Sequence, residues 1–271
     1  MFRNFYLSRK NRNMKRLVYI LLPVIVSCNT STGVINMNGA YTMEKQNFKG
    51  NGIDTNSVEN NQLKIYAGNV MMYTLVNPSQ DVSAFAVGKF SVNGDKLIEN
   101  ITYNATENLQ STDVFSDTVN IAKNDTGYVQ TMSKVMSDKG EIKITETYRS
   151  AGTNTPSLLD GIWKQVSSYA LRGNDTIKHS DIEYKAFYAG NFSYGDYYTD
   201  SIQQKRTGIS YGTFSMDSNN NLTETITAST WPELIGKTFV LGITINGSDG
   251  FTQTTTNATG DKEISVYERV K

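Results

Sequence analysis

Histidine and cysteine occur once each in the 271 residues, as His179 and Cys28, and proline only four times. A single histidine excludes a cluster of imidazole metal ligands. It also leaves any Ser-His-Asp triad resting on one polar stretch, Lys178-His179-Ser180-Asp181, which reads as surface. A lone cysteine excludes an intrachain disulfide, so the folded part must rely on its core. Net charge is lacking too, since 26 Lys and Arg balance 26 Asp and Glu. No dense basic block follows the first 16 positions, which removes the electrostatic footprint of a nucleic-acid binder. Gly-rich phosphate loops, Gly-x-Ser-x-Gly elbows and acidic calcium-loop spacings are absent. The expectation is a protein that is not an enzyme and needs no cofactor or metal.

What is present points to strands. Sixteen Tyr and eleven Phe stand among abundant Thr, Ser and Asn, a composition suited to pleated sheets and polar turns. The chain is long enough for two cores, because domains usually run to about 100–150 residues. At the N-terminus, Lys15 and Arg16 precede an apolar run from Leu17 to Val26. That run is too short to span a bilayer but suits the core of a signal peptide. It ends at Ile25-Val26-Ser27-Cys28, which resembles the bacterial lipobox, where a lipid such as palmitate is attached to the Cys thiol and the peptide is cut just before it. The reading is a signal peptide over 1–27, with Met14 as the true start, and a lipidated tether over 28–37 anchored through Cys28. The alternative is a free or buried thiol behind an ordinary secretory signal.

Beyond the tether the chain repeats itself. Tyr66-Ala67-Gly68-Asn69 recurs as Tyr188-Ala189-Gly190-Asn191 at a shift of 122 residues, and Gly39-Ala40-Tyr41 recurs as Gly161-Ile162-Trp163 at the same shift. Glu141-Ile142 recurs as Glu263-Ile264, Gly88-Lys89-Phe90-Ser91 matches Gly212-Thr213-Phe214-Ser215, and Leu97-x-Glu99-x-Ile101 matches Leu222-x-Glu224-x-Ile226. Matches in the same order predict two copies, over 38–150 and 161–271, joined by a Gly/Ser/Thr/Asn-rich linker at 151–160. Within each copy the apolar pattern has period two. Leu97, Glu99, Ile101 and Tyr103 fall on one strand face, as do Leu222, Glu224, Ile226 and Ala228. Tight-turn sequences such as Asn93-Gly94-Asp95, Asp138-Lys139-Gly140 and Asn246-Gly247-Ser248 separate the strands. An antiparallel meander of this length hides both of its edges by closing into a barrel. One large sandwich is the competing architecture.

Gly161-Ile162-Trp163 at the first strand, Tyr267-Glu268-Arg269 at the last, and the Lys-x-Tyr/Phe-Tyr-x-Gly-Asn hairpin followed by Gly-x-Phe resemble the lipocalin-like domains of Bacteroides-group lipoproteins. The resemblance implies an all-β fold of two tandem up-and-down barrels. It also implies that Trp163 packs at a closed end against Arg269. The first copy departs from it: Tyr41 replaces Trp, and Arg149 directly follows Tyr148. Tyr41 and Arg149 are the expected closure pair there.

Glu99 and Glu224 stand on faces that otherwise carry Leu and Ile. A carboxylate inside a barrel needs an Arg, a tyrosyl hydroxyl, water or a ligand donor. Both are candidate polar handles of an internal cavity, with Tyr103, Tyr188, Tyr194 and Tyr198 as aromatic companions. The competing reading places the glutamates at a solvated rim or in structural pairs. Two functions follow. In one, the barrels bind a small apolar or amphipathic molecule near the membrane; in the other, filled barrels serve as an interaction module for a protein partner that nothing names. Asn29 after the cysteine, and Thr30 to Gly33 without an acidic run, favour the periplasmic face of the outer membrane as the address.

Overall fold

The computed structural model describes residues 35–57, 61–77, 82–136, 140–152, 156–257 and 259–271. Cys28, the apolar run before it, the start of the tether, and Asp138 and Lys139 lie outside the described residues. In the first copy the strands are β1 (Gly39–Gly50), β2 (Ile53–Ser57), β3 (Asn61–Ala67), β4 (Val70–Asn77), β5 (Val82–Asn93), β6 (Lys96–Thr106), β7 (Leu109–Ser111), β8 (Phe115–Asn124), β9 (Gly127–Met136) and β10 (Gly140–Ala151). In the second they are β11 (Gly161–Arg172), β12 (Asp175–Lys178), β13 (Ile182–Tyr188), β14 (Asn191–Thr199), β15 (Lys205–Met216), β16 (Asn221–Ser229), β17 (Thr238–Ile245), β18 (Gly250–Thr256) and β19 (Lys262–Arg269). A short 3-10 turn, Pro232–Leu234, lies between β16 and β17.

Both sheets are antiparallel meanders that close on themselves, β1 on β10 and β11 on β19. With β2, β7 and β12 as short side extensions, each copy is an eight-stranded barrel. Closure leaves no long unpaired edge. The segment expected as linker is shorter than 151–160, because Ala151 still belongs to β10 and Leu159 is fully buried under the second barrel.

The two barrels share a core. Leu63 and Ile65 of β3, Met72 of β4, and Phe85 and Val87 of β5 point away from their own barrel. They meet Tyr184 and Ala186 of β13, Tyr197 of β14, and Ile209 and Tyr211 of β15. The rings of Tyr103 and Tyr184 lie 5.1 Å apart across this seam, and the hydroxyls of Thr74 and Ser193 are 2.8 Å apart. The strands that form it are therefore buried on both faces and read as nearly unbroken buried runs in β3 and β13, as doubly covered strands do. An apolar seam of this kind holds two barrels as one body rather than two tethered ones.

Register explains which side chains enter each barrel. In β6, Thr102 is an extra residue between the pairs Val87↔Tyr103 and Gly88↔Ile101. In β16, Thr227 is extra between Tyr211↔Ala228 and Gly212↔Ile226. Each bulge reverses the in/out alternation beyond it. Leu97, Glu99 and Ile101 face inward, but Tyr103 faces the seam; Leu222, Glu224 and Ile226 face inward, but Ala228 does not. The period-two expectation thus holds up to the bulge and fails after it. Gly88 and Gly212 sit opposite the two bulges, where a Cβ would come within 2.2 Å of the Asn100 carbonyl oxygen and 1.9 Å of that of Thr225. No other residue fits so close a backbone approach.

Candidate functional site

The barrel interiors are built around one repeated polar group. Lys64 on β3 donates to Glu99 on β6 at 3.1 Å and to Gln130 on β9 at 3.4 Å. Lys185 on β13 donates to Glu224 on β16 at 3.0 Å and to Gln253 on β18 at 2.8 Å. Matching strands supply matching members of the two triads, and both lysine side chains are almost completely buried. The lysines are inward because β3 and β13 alternate: Gln62, Lys64 and Tyr66 line one interior, and Glu183, Lys185 and Phe187 the other. Buried ions of this kind survive only when paired and fully hydrogen-bonded.

In the first barrel the network runs across the whole interior. Tyr66 donates to Glu99 at 2.5 Å and lies beside the Tyr128 hydroxyl, and Tyr148 donates to Gln62 and to Glu146 at 2.9 Å each. Gln46 and Gln130 both donate to Glu146. Burial, and then the nearby Glu99 or Glu146 carboxylates, hold the Tyr66, Tyr128 and Tyr148 hydroxyls well above the usual phenol range. They stay neutral and act as donors throughout the ordinary pH range.

The second barrel has the same triad but a different upper half. A chamber of about 210 Å³, widely open to solvent, lies beside Lys185, Glu224 and Gln253. It is lined by Phe192 and Tyr194 of β14, Ile226 and Leu241, and by Trp231, Leu234 and Phe239 from the connection between β16 and β17 and the start of β17. Trp231 can pack here because Gly208 leaves room for the edge of its ring; a Cβ on Gly208 would stand 2.2 Å from it. Further along the inward face come Glu183 and Asp196, direct cross-strand partners on β13 and β14. Tyr267 donates to Glu183, as does Gln165 at 2.9 Å. Burial pushes the Glu183 carboxyl up to about 7, against the pull of Lys185 and Tyr267. Burial, then Glu183 and Asp181, push Asp196 up to about 8, and its Oδ1 is buried without a hydrogen-bond partner. At the equivalent pair in the first barrel stand Gln62 and Leu75.

The closed ends differ in the source of their cation. The Arg269 guanidinium lies 4.0 Å from the centre of the Trp163 ring and donates to the Asp160 carbonyl at 2.6 Å, while the Trp163 indole N–H donates to the Leu159 carbonyl at 2.7 Å. Arg149 does not play this part for Tyr41. The register pairs Trp163 with Arg269 but Tyr41 with Ser150, so Arg149 falls one residue short and points outward to Glu44. The lysine Lys123 from β8 reaches the Tyr41 hydroxyl instead, at 2.9 Å.

Of the sequence-derived ligand candidates, Glu224 and Tyr194 line the chamber, and Tyr198 lies close by with its ring 6.2 Å from that of Trp231. Glu99 is enclosed in the first barrel's network. Tyr103 and Tyr188 belong to the seam between barrels. Tyr188 is displaced because the two hairpins turn one residue apart: Ala67 pairs with Val70, but Tyr188 pairs with Asn191. The structural counterpart of Tyr66 is therefore Phe187, and the repeated Tyr-Ala-Gly-Asn string is offset by one position from the fold. Ala189 takes up φ 49° and Gly190 φ 79° in the second turn, where the first needs only Gly68 at φ 67°. Sequence reasoning did not single out Lys64, Lys185, Glu183, Asp196 or Trp231. The signal for the lysines was their place two residues before an inward aromatic in both copies. His179 is at the surface, 3.1 Å from Glu263.

No family model matches the sequence, and no curated protein matches it. Among solved structures the chain is similar to a protein of unknown function of the DUF3598 family from Nostoc punctiforme, with 12% identity over 86% of this chain and 96% of that one, at a TM-score of 0.26.

Proposed function

We propose that the chain is a non-enzymatic lipoprotein of the bacterial cell envelope, anchored through Cys28, whose second barrel binds a small amphipathic molecule. The observation that carries the reading is the open chamber of about 210 Å³, lined by apolar and aromatic side chains, with the Lys185–Glu224–Gln253 group at one side. A concave apolar site with a few convergent polar groups is the usual form of a small-molecule pocket. A space of this size suits a short chain or a single ring. The first barrel supports a different role for its half: its interior is spanned by side-chain hydrogen bonds, which favours a rigid support against which the binding barrel is held.

Titration of the purified chain with 1-octanol, followed by calorimetry, is expected to give saturable 1:1 binding. Trp231→Ala should weaken it about tenfold or more, because an aromatic side chain in the lining contributes much of the contact area. Unaltered affinity in that variant, or no saturable heat with the native chain, would overturn the reading. The anchor is tested separately. Cys28→Ala is expected to abolish incorporation of labelled palmitate and to move the protein from the membrane to the soluble fraction, since a lipid chain supplies about 0.8 kcal/mol of membrane affinity per buried methylene.

A further inference from the structure

We propose that the ligand of the second barrel carries a positive charge: an amphipathic amine whose apolar part lies in the chamber beside Trp231 and whose ammonium group reaches Glu183 and Asp196, the next inward pair along β13 and β14 after Lys185 and Tyr194, which line that chamber. The inference rests on the binding reading above and deepens it. Inside this barrel Lys185 is matched by Glu224, so Glu183 and Asp196 are two further carboxyls with no cation of their own among the described residues. Directly opposed on neighbouring antiparallel strands, their Cβ atoms are about 5 Å apart, a span that one ammonium bridges.

Three observations separate this pair from a merely acidic patch. Asp196 is 8% exposed, yet its Oδ1 accepts no hydrogen bond, so a buried acceptor stands open. Along β14 it is flanked on the same face by Tyr194 and Tyr198, and the Trp231 ring lies 6.3 and 6.2 Å from theirs. Electron-rich rings two residues to either side of a carboxyl suit a cation better than an anion or a neutral group. Finally, the first barrel repeats the triad but has Gln62 and Leu75 at the matching pair, so the fold does not require acids there.

The groups that face the pair are Tyr267 of β19, Gln165 of β11, Lys185 of β13, Tyr194 of β14, Glu224 of β16, and Asp181 just before β13. Burial raises both carboxyls, and a bound ammonium would favour their charged forms. Binding of an amine should therefore release protons, and binding of an alcohol should not.

The test is calorimetry of the full chain at pH 7.5 with octylamine, 1-octanol and octanoate, repeated in two buffers of different ionisation enthalpy. The expected result is an affinity for octylamine about tenfold or more above the other two, with about one proton released per amine bound. In the Glu183→Gln/Asp196→Asn variant, octylamine should fall to the level of 1-octanol while 1-octanol itself is unchanged. If 1-octanol or octanoate binds as well as octylamine, or if the variant keeps the preference, the cation site is wrong while the binding chamber stands. If none of the three binds, the chamber reading fails and this one with it.

Discussion

Replacing Lys185 with Met is expected to destabilise the protein by about 3 to 5 kcal/mol, the usual cost of leaving one partner of a buried ion pair alone. Met keeps the length of the stem and removes the charge. Glu224 would then lose its cation and Gln253 would lose its donor in a space with 4% and 8% side-chain exposure for the pair. Adding Glu224→Leu should recover most of that loss or exceed the native stability, because an apolar pair of similar volume carries no desolvation cost. Urea denaturation of the native chain, both single variants and the double variant would give the coupling energy directly. Since the barrels share an apolar seam, one cooperative transition is expected. A cost below about 1 kcal/mol for the single change would mean that the ion pair behaves as a solvated surface pair and that water reaches Glu224.

Stability should also depend on pH through Glu183 and Asp196. Their carboxyls are raised in the folded chain to about 7 and about 8 from ordinary values of 4.5 and 3.8, chiefly by burial. The native state therefore holds more protons than the unfolded chain between about pH 4 and pH 8. The contribution of these two groups is fully present below about pH 4 and is lost as pH rises through the folded values. At roughly 1.4 kcal/mol per pH unit for one such group, less whatever relaxation recovers, Asp196→Asn should be more stable than the native chain by about 3 kcal/mol at pH 8.5. At pH 4 the two should be nearly equal. Denaturation midpoints of both proteins across that range would show the gap opening with pH. A gap that stays flat or narrows would mean that Asp196 is ionised and satisfied in the folded state, and would remove the open acceptor on which the amine site depends.

Much of the architecture is legible in the sequence alone. Alternation along β6 and β16, turn residues such as Gly94 and Gly247, and the ordered repeat around Gly88 and Gly212 are local signals, and they led to two closed antiparallel barrels. Glu99 and Glu224 were legible as inward carboxylates for the same reason. Their partners were not, because Lys64 and Gln130 lie 66 positions apart in the chain, and only the closing of the barrel brings them together.

The misplaced residues share one cause. Tyr103 is turned to the seam by the bulge at Thr102, Tyr188 by a hairpin that turns one residue away from its counterpart, and Arg149 by falling one position short of Arg269 in the pairing. Residue type and alternation along a single strand are enough to dictate duplication, strand content and the presence of buried charge, since each depends on nearest neighbours in the chain. Which face a given side chain shows depends on the exact partner across the strand, and a slip of one residue exchanges inside for outside. Ring closure and the seam between barrels are made by segments far apart in the chain, so Lys185 of β13, Glu224 of β16 and Gln253 of β18 came together only when β11 closed on β19.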